Sequence, residues 1–180
     1  MHDENTGVPD FSFGSGTFEF REWSTPFANA EIEVIEVAYS PKLPWPDNAI
    51  PHYRDDSLLR APNDKDLTVR VYVYNSNTVY RVAFSTISAF RLLDEHGLLQ
   101  FWRKTEELGG RRAETTFSVR NHLWTQESPI SFLGTDDGWS FVIASGNDCL
   151  EVLSEQAPSI VEEGVQTSVP EDSVDRKYDL

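Results

Sequence analysis

One cysteine, one methionine and half as many basic residues as acidic ones are the main scarcities of this 180-residue sequence. A single thiol excludes a disulfide framework and any zinc site built on cysteine pairs. No run of about 18 apolar residues occurs, so no membrane span is expected. With 15 Lys and Arg against 30 Asp and Glu, the net charge is −15. That balance argues against nucleic acid, whose binders need a basic patch to displace counterions. Only Arg103-Lys104 and Arg111-Arg112 approach one, and Glu106 and Glu107 lie between them. The phosphate cradles G-x-x-x-x-G-K-[ST] and G-x-G-x-x-G are missing, as are the G-x-S-x-G elbow and H-E-x-x-H. No motif therefore points to a nucleotide, a zinc ion or an elbow serine. No cofactor is expected, and no catalytic or metal-ligating residue is assigned. Residues 1–5 are acidic where a secretory leader is basic and then apolar, so a cytoplasmic location is expected.

What is present is length enough for one domain with its own core. Residues 1–10 hold Asp3, Glu4 and Asp10 and no base, and residues 155–180 hold seven acids against Arg176 and Lys177. From residue 164 the chain has few large apolar residues and no period, a composition that cannot offset its own ordering entropy. The expected organisation is a disordered N-terminus over 1–10, a globular domain over 11–163 and a disordered acidic tail over 164–180.

Within the domain the dominant period is two. Val69, Val71 and Val73 alternate with Arg70, Tyr72 and Tyr74, and a second alternating run over 78–85 follows Asn75-Ser76-Asn77. This predicts a hairpin. Residues 17–23 predict a strand with Phe18 and Phe20 opposite Glu19 and Arg21. Residues 31–39 alternate but slip phase between Val34 and Ile35, as a β-bulge would make them. Residues 115–124 predict a further strand, and 139–144 with 149–153 predict a hairpin closed by Ser145-Gly-Asn-Asp148, after which Pro158 ends pairing or marks an edge. Asp136-Asp137-Gly138 predicts a hairpin turn. The helix candidate is the stretch from Ser88 to Lys104, with Phe90, Leu93, Phe101 and Trp102 irregularly spaced and Gly97 interrupting it. The fold class expected is mainly β, with α+β as the alternative: antiparallel hairpins forming a sandwich or open barrel with one short helical element.

Candidate chemistry is sparse. Cys149 begins an apolar strand and is expected to be a buried core residue. The histidines are His2, His52, His96 and His122, with no helical pairing among them. Between Ser40 and Asp66 runs a long Pro-rich connection of the kind that is often functional. Its acids Asp55, Asp56, Asp64 and Asp66 resemble a hard-metal cluster, but Arg54, Arg60 and Lys65 are interleaved, and a solvated loop is expected instead of a metal site. Trp45, held between Pro44 and Pro46, suits an interface anchor because little entropy is lost on contact; the alternative is a lid over the sheet. Trp45, Asp55, Asp56, Asp64 and Asp66 are the expected partner-binding residues.

Residues 89–102 (AFRLLDEHGLLQFW) and 139–153 (WSFVIASGNDCLEVL) resemble small β-rich bacterial proteins of unassigned function, some of them of the immunity-protein kind found beside secreted toxins. The resemblance is carried by core-like residues (Phe90, Leu93, Trp102, Val152) and brings no site residue with it. The expected function is that of a non-enzymatic binding protein, an inhibitor or immunity protein whose negative field captures a basic partner such as a toxin domain. One alternative is a small hydrolase or lyase using carboxylates with His52 or His122 in a barrel. The other is a non-catalytic subunit of an oligomer.

Overall fold

The alternation over 67–74 becomes the spine of a sheet. In the computed structural model, which describes residues 16–41, 65–94, 102–103, 106 and 114–165, β3 (Lys65–Val73) pairs with β4 (Thr78–Phe84) in unbroken antiparallel register from Leu67↔Phe84 to Val73↔Thr78. Leu67, Val69, Val71 and Val73 all turn inward and are buried. Asn77 closes the turn with φ 51°, a left-handed conformation that asparagine tolerates, and its side chain accepts from the Tyr72 hydroxyl at 2.6 Å.

Two bulges finish this sheet. β2 (Ile32–Pro41) pairs with β3, and the register jumps from Val34↔Val71 to Glu36↔Arg70. The extra residue, Ile35, accounts for the phase slip in the sequence and keeps Val34 and Val37 on the same inner face. β9 (Ser159–Val165) pairs with β4 from the other side, with a jump between Val79↔Gly164 and Tyr80↔Glu162. Gly164 takes φ +120° there, and the displaced Glu163 reaches Arg70 at 2.8 Å and Arg81 at 3.1 Å. The sheet order is β2-β3-β4-β9, so Pro158 does immediately precede an edge strand.

The second sheet collects strands distant in sequence: β1 (Glu19–Glu22), β6 (Thr116–Arg120), β7 (Ser140–Ala144), β8 (Asp148–Ser154) and β5 (Ile87–Asp94), in that spatial order and antiparallel throughout. The chain passes between sheets three times, through residues 23–31, through Ser85-Thr86 and through residues 155–158. The last two crossings are tied by Ser154, whose hydroxyl donates to the Thr86 carbonyl at 2.6 Å. The inner faces share one core that includes Trp23, Phe27, Val69, Val82, Phe84, Phe141, Ile143 and Leu150. Neither sheet closes on itself. The architecture is two packed antiparallel sheets with a short helix over Leu123–Glu127 among the described residues, the sandwich form of the expected β-rich class.

The centre of the five-stranded sheet is buried on both faces, since every residue of β7 is buried. A strand in that position is apolar throughout instead of alternating. Its outer face carries a second cluster of Phe117, Val119, Val142, Ala144 and Cys149, with Phe18, Phe20, Leu93 and Trp102 against it. Cys149 is thus the buried core residue expected. The same face is covered by α1 (Leu123–Glu127) and a 3-10 turn, Pro129–Phe132.

Three sequence expectations are corrected. Ser88 to Asp94 forms strand, not helix: the irregular apolar spacing belongs to β5, whose register against β8 skips Ser88, while Trp102, Arg103 and Glu106 are helical among the described residues. The strand predicted over 115–124 ends at Arg120, because Asn121 adopts φ 59° and turns the chain into α1. Asp137 and Gly138 have φ 50° and 76° with Trp139 N bonded to Asp136 O, a turn with both central residues left-handed, but it joins the 3-10 turn to β7 and closes no hairpin.

Candidate functional site

The sequence-expected contact residues Trp45, Asp55, Asp56 and Asp64 lie outside the described residues, as does His52. The backbone of Asp66 lies in β3 opposite Ser40, and its side chain lies outside the description. The structure instead assembles two other constellations of chemistry-bearing side chains.

The first sits under α1. Glu151, in the middle of β8, is placed by register between Val142 on β7 and Arg91 on β5, so its side chain points to the outer face. It is 1 % exposed. Its Oε2 accepts from Arg91 Nε at 2.8 Å and lies 2.6 Å from Nη2. Its Oε1 accepts from the Ser140 hydroxyl at 2.5 Å and lies 2.9 Å from His122 Nε2, off the line of an ideal hydrogen bond. The ring of Trp124 stacks under the Arg91 guanidinium at 4.6 Å, and Phe132 packs against both His122 and Trp124. Burial pushes the Glu151 carboxyl up, but His122, Arg91 and Ser140 together outweigh it and hold the group below the ordinary value.

Serine, histidine and a carboxylate meet here, yet in the wrong order for nucleophilic catalysis. An activated serine gives its proton to a base that a third group orients. Ser140 instead donates its hydrogen bond to the carboxylate, and a carboxylate with a depressed pKa is a poor base. Ser140 is also fully buried, so no substrate reaches it. The cluster is a fastening: it pins α1 and His122 to the sheet. Because the Glu151 pKa is lower in the fold than in the unfolded chain, its contribution is complete above the ordinary value of 4.5 and is lost as pH falls through the depressed one. The stability gap between wild type and Glu151→Gln, followed by urea unfolding, is expected to close on acidification below that value. A gap that persists at low pH would show that ionisation is not the source.

The second constellation is an open cleft of about 610 Å³ beside the β1 edge, lined by Arg21, Glu22, Trp23, Ser118, Thr135, Asp136, Asp137, Phe141, Glu155 and Ala157. Trp23, Ser118 and Phe141 are buried and form its floor. Arg21 reaches Asp136 at 3.2 Å and lies over the Trp139 ring at 4.5 Å. Arg120 lies over the same ring at 5.0 Å, held by both oxygens of Glu19 at 3.0 Å and by Asp137. Glu22 and Glu155 make no ion pair among the described residues.

No family model, curated protein or solved structure matches this chain. Function is therefore argued from geometry. Among the described residues there is no group of three or more side chains arranged to hold a metal, and no helix long and apolar enough to cross a membrane.

Sequence reasoning missed both constellations. One signal was available for the first: Glu151 is the single charge inside the run Cys149-Leu-Glu-Val-Leu-Ser154, and a charge centred in an apolar strand implies a buried partner. For the cleft, Asp136 and Asp137 were fully accounted for by turn chemistry, and Arg21 lies 115 residues from its partner, so nothing local connected them.

Proposed function

We propose that this protein is a non-enzymatic binding protein that occludes a basic surface of a partner protein, in the manner of an immunity protein blocking a toxin domain. The observation that carries the reading is the cleft beside β1. Four acidic residues line it against one arginine, whose guanidinium is already committed to Asp136. Glu155 remains for a cation brought from outside, and the aromatic floor of Trp23 and Phe141, two rings meeting edge to face, offers apolar contact to the stem of an inserted Arg or Lys. The charge of −15 supplies the field that steers a basic partner in and repels acidic ones. The closed state of the Ser140–Glu151–His122 cluster favours this reading over the hydrolase alternative, since its oxygens are occupied and shielded.

The test is a titration with labelled nona-arginine. The paired variant Glu22→Lys with Glu155→Lys is expected to bind about tenfold more weakly than wild type at low salt, and the difference should shrink at about 0.5 M salt, where screening acts over only a few ångströms. The pair Asp55→Lys with Asp56→Lys, in the same titration, compares the Pro-rich connection with the cleft. Equal binding by wild type and the Glu22/Glu155 variant at low salt rules the cleft out as the contact surface.

A further inference from the structure

The cleft already contains a guanidinium, and its attachment differs from that of its neighbour. Arg120 is fastened through two nitrogens to two carboxylates. Among the described residues Arg21 has one ion-pair contact, to Asp136 at 3.2 Å, in a pair whose side chains are 43 % and 63 % exposed. Both guanidinia lie over Trp139, which is itself buried. Arg21 is carried by β1, a four-residue edge strand, on a long, partly exposed side chain. An exposed pair of this sort is weak and easily exchanged.

Resting on the reading of the cleft as the partner site, we infer that Arg21 is a displaceable occupant of a guanidinium slot, and that an arginine of the partner takes its place over Trp139 and against Asp136. The slot suits arginine over lysine. A planar guanidinium stacks on an indole and presents paired donors to a carboxylate, whereas an ammonium is a compact, strongly hydrated charge. Glu155, also on the cleft wall, would receive remaining donors. Arg21 then sets the affinity as an internal competitor: the protein binds only in the fraction of molecules whose slot is open, and apparent affinity is reduced by that fraction.

The experiment uses the full chain as wild type, Arg21→Ala, Arg21→Lys and Arg81→Ala, each titrated at low salt with labelled nona-arginine and nona-lysine. Arg81 sits on the other sheet, paired with Glu163, and its removal changes the net charge as Arg21→Ala does. Arg21→Ala is expected to bind nona-arginine about five- to tenfold more tightly than wild type, with Arg81→Ala close to wild type. Arg21→Lys, which keeps the charge and spares β1, should also gain. The gain should be much smaller with nona-lysine. If wild type binds nona-arginine but Arg21→Ala binds no more tightly than Arg81→Ala, the slot is refuted while the partner reading stands. An equal gain with nona-lysine reduces the effect to charge and refutes the guanidinium slot. No binding of nona-arginine by any variant removes both.

Discussion

Glu151→Ala is expected to destabilise the protein by about 3–5 kcal/mol, the usual loss when one member of a buried ion pair is deleted. The reason is what remains. Arg91, His122 and the Ser140 hydroxyl all converge on the two carboxylate oxygens; without them the mostly buried guanidinium loses its paired anion, and Ser140 keeps only its longer contact to the Val119 carbonyl at 3.3 Å. Desolvating an ion costs several kcal/mol even after relaxation, so the pair is stabilising only as a complete set. Glu151→Gln keeps the volume and one acceptor and should lose less. Arg91→Ala should also cost less, since Arg91 is a quarter exposed and water can replace part of its contact. Urea unfolding of the two single variants and the Arg91→Ala/Glu151→Ala double variant gives the coupling directly. If Glu151→Ala unfolds at the wild-type midpoint with an unchanged slope, the fastening role of the cluster is wrong.

Phe84→Ala is expected to cost about 3–5 kcal/mol by a different route, the loss of buried surface plus the cavity left behind. Phe84 is 1 % exposed at the end of β4 and packs between the sheets, with Phe141 at 5.9 Å and Trp23 at 6.4 Å between ring centroids. Those two rings floor the cleft. The variant should therefore weaken nona-arginine binding as well, without changing any charge. Leu92→Ala, on β5 and largely exposed, is the control and should stay within about 0.5 kcal/mol of wild type. Thermal or urea unfolding separates them. Similar losses for the two variants would mean that the inter-sheet core does not carry the stability assigned to it.

How much was legible beforehand depended on the distance over which each feature is decided. The β3–β4 and β7–β8 hairpins were legible because alternation and turn residues lie within one short segment. The bulge in β2 was legible as a lost beat between Val34 and Ile35. β5 was not: Phe90, Leu92 and Leu93 have no clean period of their own, and only pairing with β8 makes them a strand. The end of β6 was also hidden, since the left-handed Asn121 is a single-residue event among residues that otherwise suit extension. Of the contact residues expected from the Pro-rich connection, Trp45, Asp55, Asp56 and Asp64 lie outside the described residues and Asp66 falls in β3, while the cleft arose from residues that carried no local signal of function.

By itself, then, the chain's chemistry determined that strands would form, where the two tight hairpins fold back, and that the product would carry a strong negative field. These follow from backbone period, turn preference and counted charge, all of which are local or additive. Only the tertiary structure decided that β4 and β5, two residues apart, belong to different sheets, and that β1 pairs with β6 from the far half of the chain. It alone brought Arg91, His122 and Ser140 onto Glu151, and Arg21 onto Asp136. Such meetings depend on which apolar faces bury each other most completely, a competition among long-range contacts that no short window of sequence records.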